Sequence, residues 1–391
     1  MKSDTPRYLL KDVAIIIAGQ SPDSKYYNTK GEGLPFFQGK ADFGVLYPKI
    51  RTYCSQPTKI AEKDDILLSV RAPVGPTNLS PGKVCIGRGL TAIRPSSRIC
   101  LKYLLYFFRY YEVQLQKSGT GTTFKAITQN VIKNIEVPVP DLYEQERIVS
   151  KIEELFSGLD ASVAELQTAK EKLKVYRQAV LKEAFDSVRV NSKRVTIRSV
   201  CETIKVGIVI KPTQYYVEQG GVFAFRNANV RRNYIEDKDW AMISQEGHQK
   251  NLKSQVHKGD VLIARSGVNL GMAAAVPQEY DGYNAIDVVI AVPKKEFILP
   301  QYLAQYTNSP YGLEIVRKNQ HGAAQGHLNV KEYGNLPIFL PNIPEQYSLL
   351  EKIESRLSVC DSIEQTIDIS LQQAEALRQS VLKQAFEGRL I

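Results

Sequence analysis

The sequence predicts an α+β chain: two mixed, sheet-rich globular domains joined by two long helices that form an antiparallel coiled coil, related by a pseudo-twofold internal repeat. Three observations predict this. Residues 134–190 align without a gap on 335–391 at a constant offset of 201, and sixteen of the 57 aligned positions are identical. Both copies carry an apolar stripe at helical spacing over roughly 40 residues, far longer than an ordinary domain helix. The segments before and between the copies hold short apolar runs broken by Gly and Pro, the pattern of sheet-rich or mixed domains. A period of this length is too long for a solenoid, so the repeat is a duplicated module.

The first globular segment, 1–140, opens with a strand or short helix at Tyr8–Ala18 and a turn-rich loop, GQSPDSKYYNTKGEG. PFFQGKADFG follows, and the charged turn EKDD leads into the apolar strand ILLSV and the loop RAPVGPTNLSPGK. LKYLLYFFRYYEVQLQ has helical periodicity, and SGTGTTFKAIT is a Gly/Thr loop that feeds a short strand. The first long helix, 141–190, starts with Asp141 and Glu144 at capping-box spacing after Pro140. Its stripe is Ile148, Ile152, Leu155, Leu159, Val163, Leu166, Ala169, Leu173, Tyr176 and Val180.

The second globular segment, 191–341, echoes the first. GGVFAFRNANV answers GLPFFQGKADF, KGDVLIARSG answers EKDDILLSVRAP, LPQYLAQY answers CLKYLLYF, and NQHGAAQGHLNV answers KSGTGTTFKAIT. The second long helix, 342–391, has Asn342 and Glu345 as its capping pair and Ile353, Leu357, Cys360, Ile363, Ile367, Leu371, Ala374, Leu377 and Val381 as its stripe. A helix of this length with one apolar stripe needs a partner, and its duplicate is the obvious one.

Net charge is +10, and its distribution is informative. Residues 1–140 hold 20 Lys/Arg against 10 Asp/Glu and 191–341 hold 18 against 13, whereas the helices hold 8 against 10 and 5 against 8. The globular parts therefore face a polyanion and the helices face protein. No apolar run of 18 and no signal-peptide pattern at MKSDTPRYLL occur, so a cytoplasmic chain is expected. Cys54, Cys85, Cys100, Cys201 and Cys360 lack CxxC spacing and read as reduced core thiols, not metal ligands.

Catalytic patterns fail one by one. No GxxxxGK[ST] exists, because five residues separate Gly33 from Gly39 and Ala41 stands where a Mg-binding hydroxyl belongs. No NPPF or DPPY tetrapeptide marks an adenine methyltransferase. Glu236-Asp237-Lys238 reads as a solvated turn, and His248, His257, His321 and His327 form no metal-ligand cluster. The chain reads as a binding protein.

What the loops offer is polar side chains among glycines. Main-chain donors and hydroxyls suit phosphates, while Arg, Gln and Asn make the paired hydrogen bonds that distinguish base edges. The candidate DNA-binding set is Gln38, Lys40, Arg71, Thr122, Thr123 and Lys125 in the first segment, and Arg226, Asn227, Asn229, Arg265, Ser266, Gln325, His327 and Asn329 in the second. A coiled-coil scaffold without sequence reading would leave these loops unexplained.

The strand-to-helix junctions VPVPDLYEQERIVSKI and IFLPNIPEQYSLLEKI, the helix ends RQAVLKEAF and RQSVLKQAFEGRL, the segment GDVLIARSG, and the doubled order of variable and repeated regions resemble the specificity (S) subunit of type I restriction-modification enzymes. The resemblance covers essentially the whole chain. It implies target-recognition domains at 1–140 and 191–341, each reading one half of a bipartite double-stranded DNA sequence, with the helices as spacers. It implies a non-catalytic chain that docks two methyltransferase (M) subunits and, where one is present, restriction (R) subunits. S-adenosylmethionine, and ATP with Mg, then belong to those partners, and this chain binds no cofactor. An antiparallel helix pair would relate the two readers by a twofold axis, matching the backbone symmetry of DNA. Two copies of one partner need two similar surfaces, and the repeat supplies Glu144, Gln145, Arg177, Gln178 and Lys182 matched by Glu345, Gln346, Arg378, Gln379 and Lys383.

Overall fold

A computed structural model describes residues 5–118, 126–318 and 327–391. The chain divides into two compact units, and the division cuts across both long helices: one unit holds the residues up to Gln167 with Asp368–Ile391, the other Thr168–Ile367. Each unit is a globular domain with a stretch of both helices packed on it.

In the first unit a four-stranded antiparallel sheet runs in the order Ala14–Ala18, Leu90–Pro95, Ile66–Ser69, Thr77–Leu79. Side chains alternate along a strand, so Ile66 and Leu68 enter one core with the helix Leu101–Ser118, while Leu67, Leu90 and Ala92 enter a second core on the other face. Burial on both faces is why ILLSV reads as an unbroken apolar run. The expected strand or helix at Tyr8–Ala18 is both: a strand Arg7–Leu9, a helical turn Leu10–Val13, and the strand Ala14–Ala18. A second sheet of five short strands contains the parallel pair Leu34–Phe37 and Val84–Ile86. A short helix that the periodicity did not signal, Gln129–Lys133, is capped by Thr128 and precedes the strand Glu136–Pro138, which pairs with Arg7–Leu9.

The second unit repeats the plan. Its four-stranded sheet runs Cys201–Val206, Val288–Pro293, Val261–Ala264, Ala273–Ala275. Val261 and Ile263 face one core, Leu262 and Ala264 the other. Strand Lys193–Thr196 pairs with Pro337–Leu340 as Arg7–Leu9 pairs with Glu136–Pro138. Two helices, Pro300–Asn308 and Pro310–Lys318, stand where the first unit has one, because Pro310 cannot continue the first of them.

The long helices span Leu142–Arg189 and Ile343–Phe386. Asp141 Oδ1 accepts from the Glu144 N–H at 2.8 Å, and Asn342 and Glu345 cap each other reciprocally at 2.9 and 3.0 Å. Ile353, Cys360, Ile367, Ala374 and Val381, every seventh residue, are buried along one seam. Their counterparts Ile152, Leu173 and Val180 are buried and Leu159 and Leu166 half-buried. That strict heptad is the coiled-coil seam. Tyr176, Ile363 and Leu377, which the helical stripe included, fall outside it and are 47%, 45% and 49% exposed. In the second unit the helices run antiparallel, with Arg177 2.7 Å from Asp361 and Arg356 2.7 Å from Glu183; in the first unit Arg378 bonds Asp160.

The apolar half of the repeated helix end is core. Phe386 sits among Tyr103, Phe107 and Tyr110, with ring centroids 5.2–5.5 Å away. Phe185 meets Tyr302 and Tyr306 at 5.5 and 5.1 Å. Four cysteines are buried and Cys100 is half-buried. Among the described residues no helix is long and apolar enough to cross a membrane.

Candidate nucleic-acid interface

In the first unit three loops converge. The strand Leu34–Phe37 leads into Gln38–Asp42, the strand Ile66–Ser69 leads into Arg71, and a tight turn at Gly87–Gly89 carries Arg88. Together they line an open cleft of about 830 Å³, to which Gln38, Lys40, Arg71, Arg88, Asp42 and Tyr27 contribute. The turn can lie against the Gln38 loop only because Gly89 has no side chain: a Cβ there would stand 2.2 Å from the Gln38 carbonyl oxygen. Lys40, Arg71 and Arg88 are exposed and form no ion pair among the described residues. Burial, followed by the neighbouring Cys54 and Cys85, pushes the Tyr27 hydroxyl up, so it stays a neutral donor and acceptor beside them. The cleft is donor-rich and cationic.

The second unit uses the same places for different chemistry. Val70 and Arg265 are equivalent, since their carbonyls accept from Ile127 and Leu328 N–H groups, each at 3.0 Å. Leu90 and Val288 are equivalent too, their carbonyls accepting from Gly19 and Gly207. Ser266 therefore stands where Arg71 stands, and Asp287 where Gly89 stands. Asn227 ties these together: its Oδ1 accepts from the Arg265 N–H at 2.8 Å and its Nδ2 donates to Ser266 Oγ at 2.9 Å. Asp287 lies 3.3 Å from Arg265 Nη1 and 3.4 Å from Ser266 Oγ. Arg226 Nε and Arg265 Nε are buried with no hydrogen-bond partner. A hydroxyl thus stands where Arg71 stands, and a carboxylate paired with Arg265 lies in the turn that carries Arg88 in the first unit.

Of the residues singled out from sequence, Gln38, Lys40 and Arg71 share the first cleft, and Asn227, Arg265 and Ser266 share one network. Arg226 donates to the Asp239 carbonyl. His327 is exposed, one residue before the Leu328 N–H that bonds Arg265. One member is corrected, and one is engaged in a local cap. Asn229 is fully buried and holds its own loop, accepting from the Arg226 N–H and donating to the Glu236 and Lys238 carbonyls. Asn329 caps the helix Val330–Gly334 through a reciprocal pair with Glu332. Thr122, Thr123, Lys125 and Gln325 lie outside the described residues. Sequence reasoning passed over Arg88 and Asp287. The flanking glycines of IGRG mark the former; nothing in NAIDVV announces the φ of 53° that Asp287 adopts.

The candidate partner surface divides as well. Gln145 and Gln346 are fully buried and are removed from it: each accepts from one main-chain N–H, of Cys100 or Leu299, and donates to two carbonyls, tying its helix start to its domain. Arg177 and Arg378 pair across the helix seam, so their charge is satisfied within the chain. Lys182, Lys383, Gln379 and Glu345 are exposed, and Gln178 and Glu144 half-exposed.

The family described as type I restriction modification DNA specificity domain matches residues 4–170. The chain is 41% identical to the putative type I restriction enzyme MjaX specificity subunit of Methanocaldococcus jannaschii over 40% of its own length and 38% of that protein's. It is 24% identical to the type I restriction enzyme EcoBI specificity subunit of Escherichia coli over 98% of this chain and 86% of the other. Among solved structures it is similar to an HsdS subunit from Thermoanaerobacter tengcongensis, with 47% identity over 38% of this chain and 37% of that one and a TM-score of 0.36.

Proposed function

The chain belongs to the specificity subunits of type I restriction-modification systems, and on that premise we propose that its two globular domains each read one half of a bipartite double-stranded DNA target. The observation that carries this reading is the substitution of chemistry at equivalent places: Arg71 in one domain where Ser266 stands in the other, and a turn that carries Arg88 in one domain and Asp287 in the other. Arginine fits guanine O6/N7 and phosphate, whereas a carboxylate accepts from the amino group of cytosine. One scaffold with two such surfaces suits two different half-sites.

In this reading the helices set the spacing and carry the partners. The gapless repeat and its heptads support the spacing role; one heptad inserted into both helices should change the number of base pairs between half-sites and leave the half-sites alone. Val175, Tyr176, Val359 and Ile363 leave apolar surface exposed on the helices of the second unit, as a protein partner requires. Two methyltransferase subunits, and restriction subunits where present, dock on the repeated scaffold. The chain itself is non-catalytic, and S-adenosylmethionine and ATP with Mg are held by those partners. The test is to incubate the purified chain with S-adenosylmethionine and DNA. Methyl transfer should be absent until a methyltransferase subunit is added; transfer by the chain alone would overturn the reading.

A further inference from the structure

Each unit carries a pocket where a long helix ends, and the two pockets occupy equivalent places. In the first unit Arg7, Phe107, Tyr110, Tyr111, Phe386 and Glu387 help enclose about 500 Å³. In the second, Arg194, Tyr306, Tyr311, Phe339 and Arg189 help enclose about 380 Å³. Sheet register establishes the equivalence: Arg7 stands opposite Pro138 and Arg194 opposite Phe339, and 138 and 339 differ by the same offset of 201 that relates the helices.

Both pockets keep an arginine at the same register, and the acids at the helix ends are held by different partners. Glu387 is bonded to Arg389, and its repeat counterpart Asp186 accepts from the Tyr311 hydroxyl. Arg189 lies over the Phe339 ring at 5.7 Å. Arg7 and Arg194 form no ion pair among the described residues. Burial pushes the hydroxyls of Tyr110 and Tyr306 up while Arg7 and Arg194 oppose it, so each arginine lies near a tyrosine of its own pocket. Glu136 also lines the first pocket and Glu314 the second, and in each one guanidinium, of Arg7 or Arg194, stands beside aromatic walls.

The loops proposed to face DNA differ between the units, whereas both pockets keep an arginine at one register position beside aromatic walls. A surface kept in both copies serves something that meets the chain twice. We propose that the twin pockets anchor two copies of the methyltransferase subunit, each inserting an apolar side chain between the rings and setting a neighbouring carboxylate on Arg7 or Arg194. Guanidinium and carboxylate make two parallel hydrogen bonds, and aromatic and arginine side chains dominate protein interfaces. The proposal rests on the reading of the chain as a specificity subunit.

The experiment titrates the full-length chain with the methyltransferase subunit by calorimetry. R7E/R194E should bind at least tenfold more weakly, and R7E alone should weaken one of two sites, leaving a biphasic isotherm. R7Q/R194Q, which removes charge without reversing it, should lose less, and circular dichroism checks that each variant is folded. Unchanged affinity in the folded double variants would overturn the pockets as anchors and leave the arginines as partners of the helix ends. If the unsubstituted chain bound no methyltransferase subunit, the specificity-subunit reading itself would fail, a result distinct from either.

Discussion

Arg177 places a guanidinium nitrogen 2.7 Å from the Asp361 carboxylate, and the same two residues, moved by the repeat offset, are Arg378 and Asp160, which pair in the other unit. One ion pair is written twice because the two long helices meet their duplicates antiparallel. Arg378 also lies over the Phe156 ring at 5.2 Å. Asp361 is 70% exposed, so water screens the pair. A double-mutant cycle with R177A and D361A should give a coupling of about 0.5–1 kcal/mol that shrinks with salt. A salt-independent coupling of several kcal/mol would mean that the seam excludes water at this point.

Phe185 and Phe386 contribute more. Each is buried and ringed by tyrosines of the domain on which its helix ends. Replacing either with Ala leaves a cavity with no small group to fill it. F386A should destabilise the first unit, and F185A the second, by about 3–5 kcal/mol, measured by chemical denaturation. A loss under about 1 kcal/mol would show that the helix end is not part of the core.

Asp65 and Asp260 begin equivalent strands and are both buried, but their surroundings differ. Asp65 receives two bonds of 2.8 Å from Arg94; the matching place in the second unit is Val292, and Asp260 accepts from the His257 N–H. R94M should therefore cost about 1–3 kcal/mol, since it leaves the buried carboxylate with only the Glu62 N–H. For Asp260, burial raises the carboxyl above its ordinary range while the His257 N–H opposes it. In the unfolded chain it titrates near about 3.9. Between that value and the raised one the folded state holds a proton that the unfolded state has lost, so stability falls as pH rises through the window. D260N keeps an oxygen for the His257 N–H and should remove that fall, read by denaturation at acidic and neutral pH.

Much of the fold was legible because it rests on local periodicity and duplication. The heptads from Ile353 to Val381, the caps at Asp141 and Asn342, and the doubly buried strands at Ile66 and Val261 follow from residue spacing alone. The sites were less legible. Gln145 and Asn229 read as polar, available residues, but distant main-chain groups of Arg98 and Cys100 close around the first, and Asn229 turns inward onto main-chain groups of its own loop, so both are buried. Glu332 fixes Asn329 as a cap, which the short spacing could have told. Arg88 and Asp287 join the candidate sites only because sheet pairing sets their turns beside Gln38 and Arg265, contacts that no local pattern encodes.

The two domains should respond differently to substitution. R71A and R88A remove cations from the first cleft. Each should weaken DNA binding, and each lost phosphate contact should lower the salt dependence by a slope of about 0.9. D287A removes the acceptor from the second and should change base preference in one half-site, worth about 1–3 kcal/mol of discrimination. Binding to duplex libraries varied in each half-site separates these outcomes. A preference shift in both half-sites from D287A would contradict independent readers.

The central claim, that the chain carries two separable readers on one repeated scaffold, is tested most directly by exchange. Residues 191–334 are replaced by the equivalent segment of a relative, the hybrid is assembled with its methyltransferase subunit, and the methylated sites of the host genome are sequenced. The account predicts that one half of the recognised sequence changes while the other half and the spacing between them stay as they were. A hybrid that assembles and methylates with both halves altered, or with neither, would contradict it.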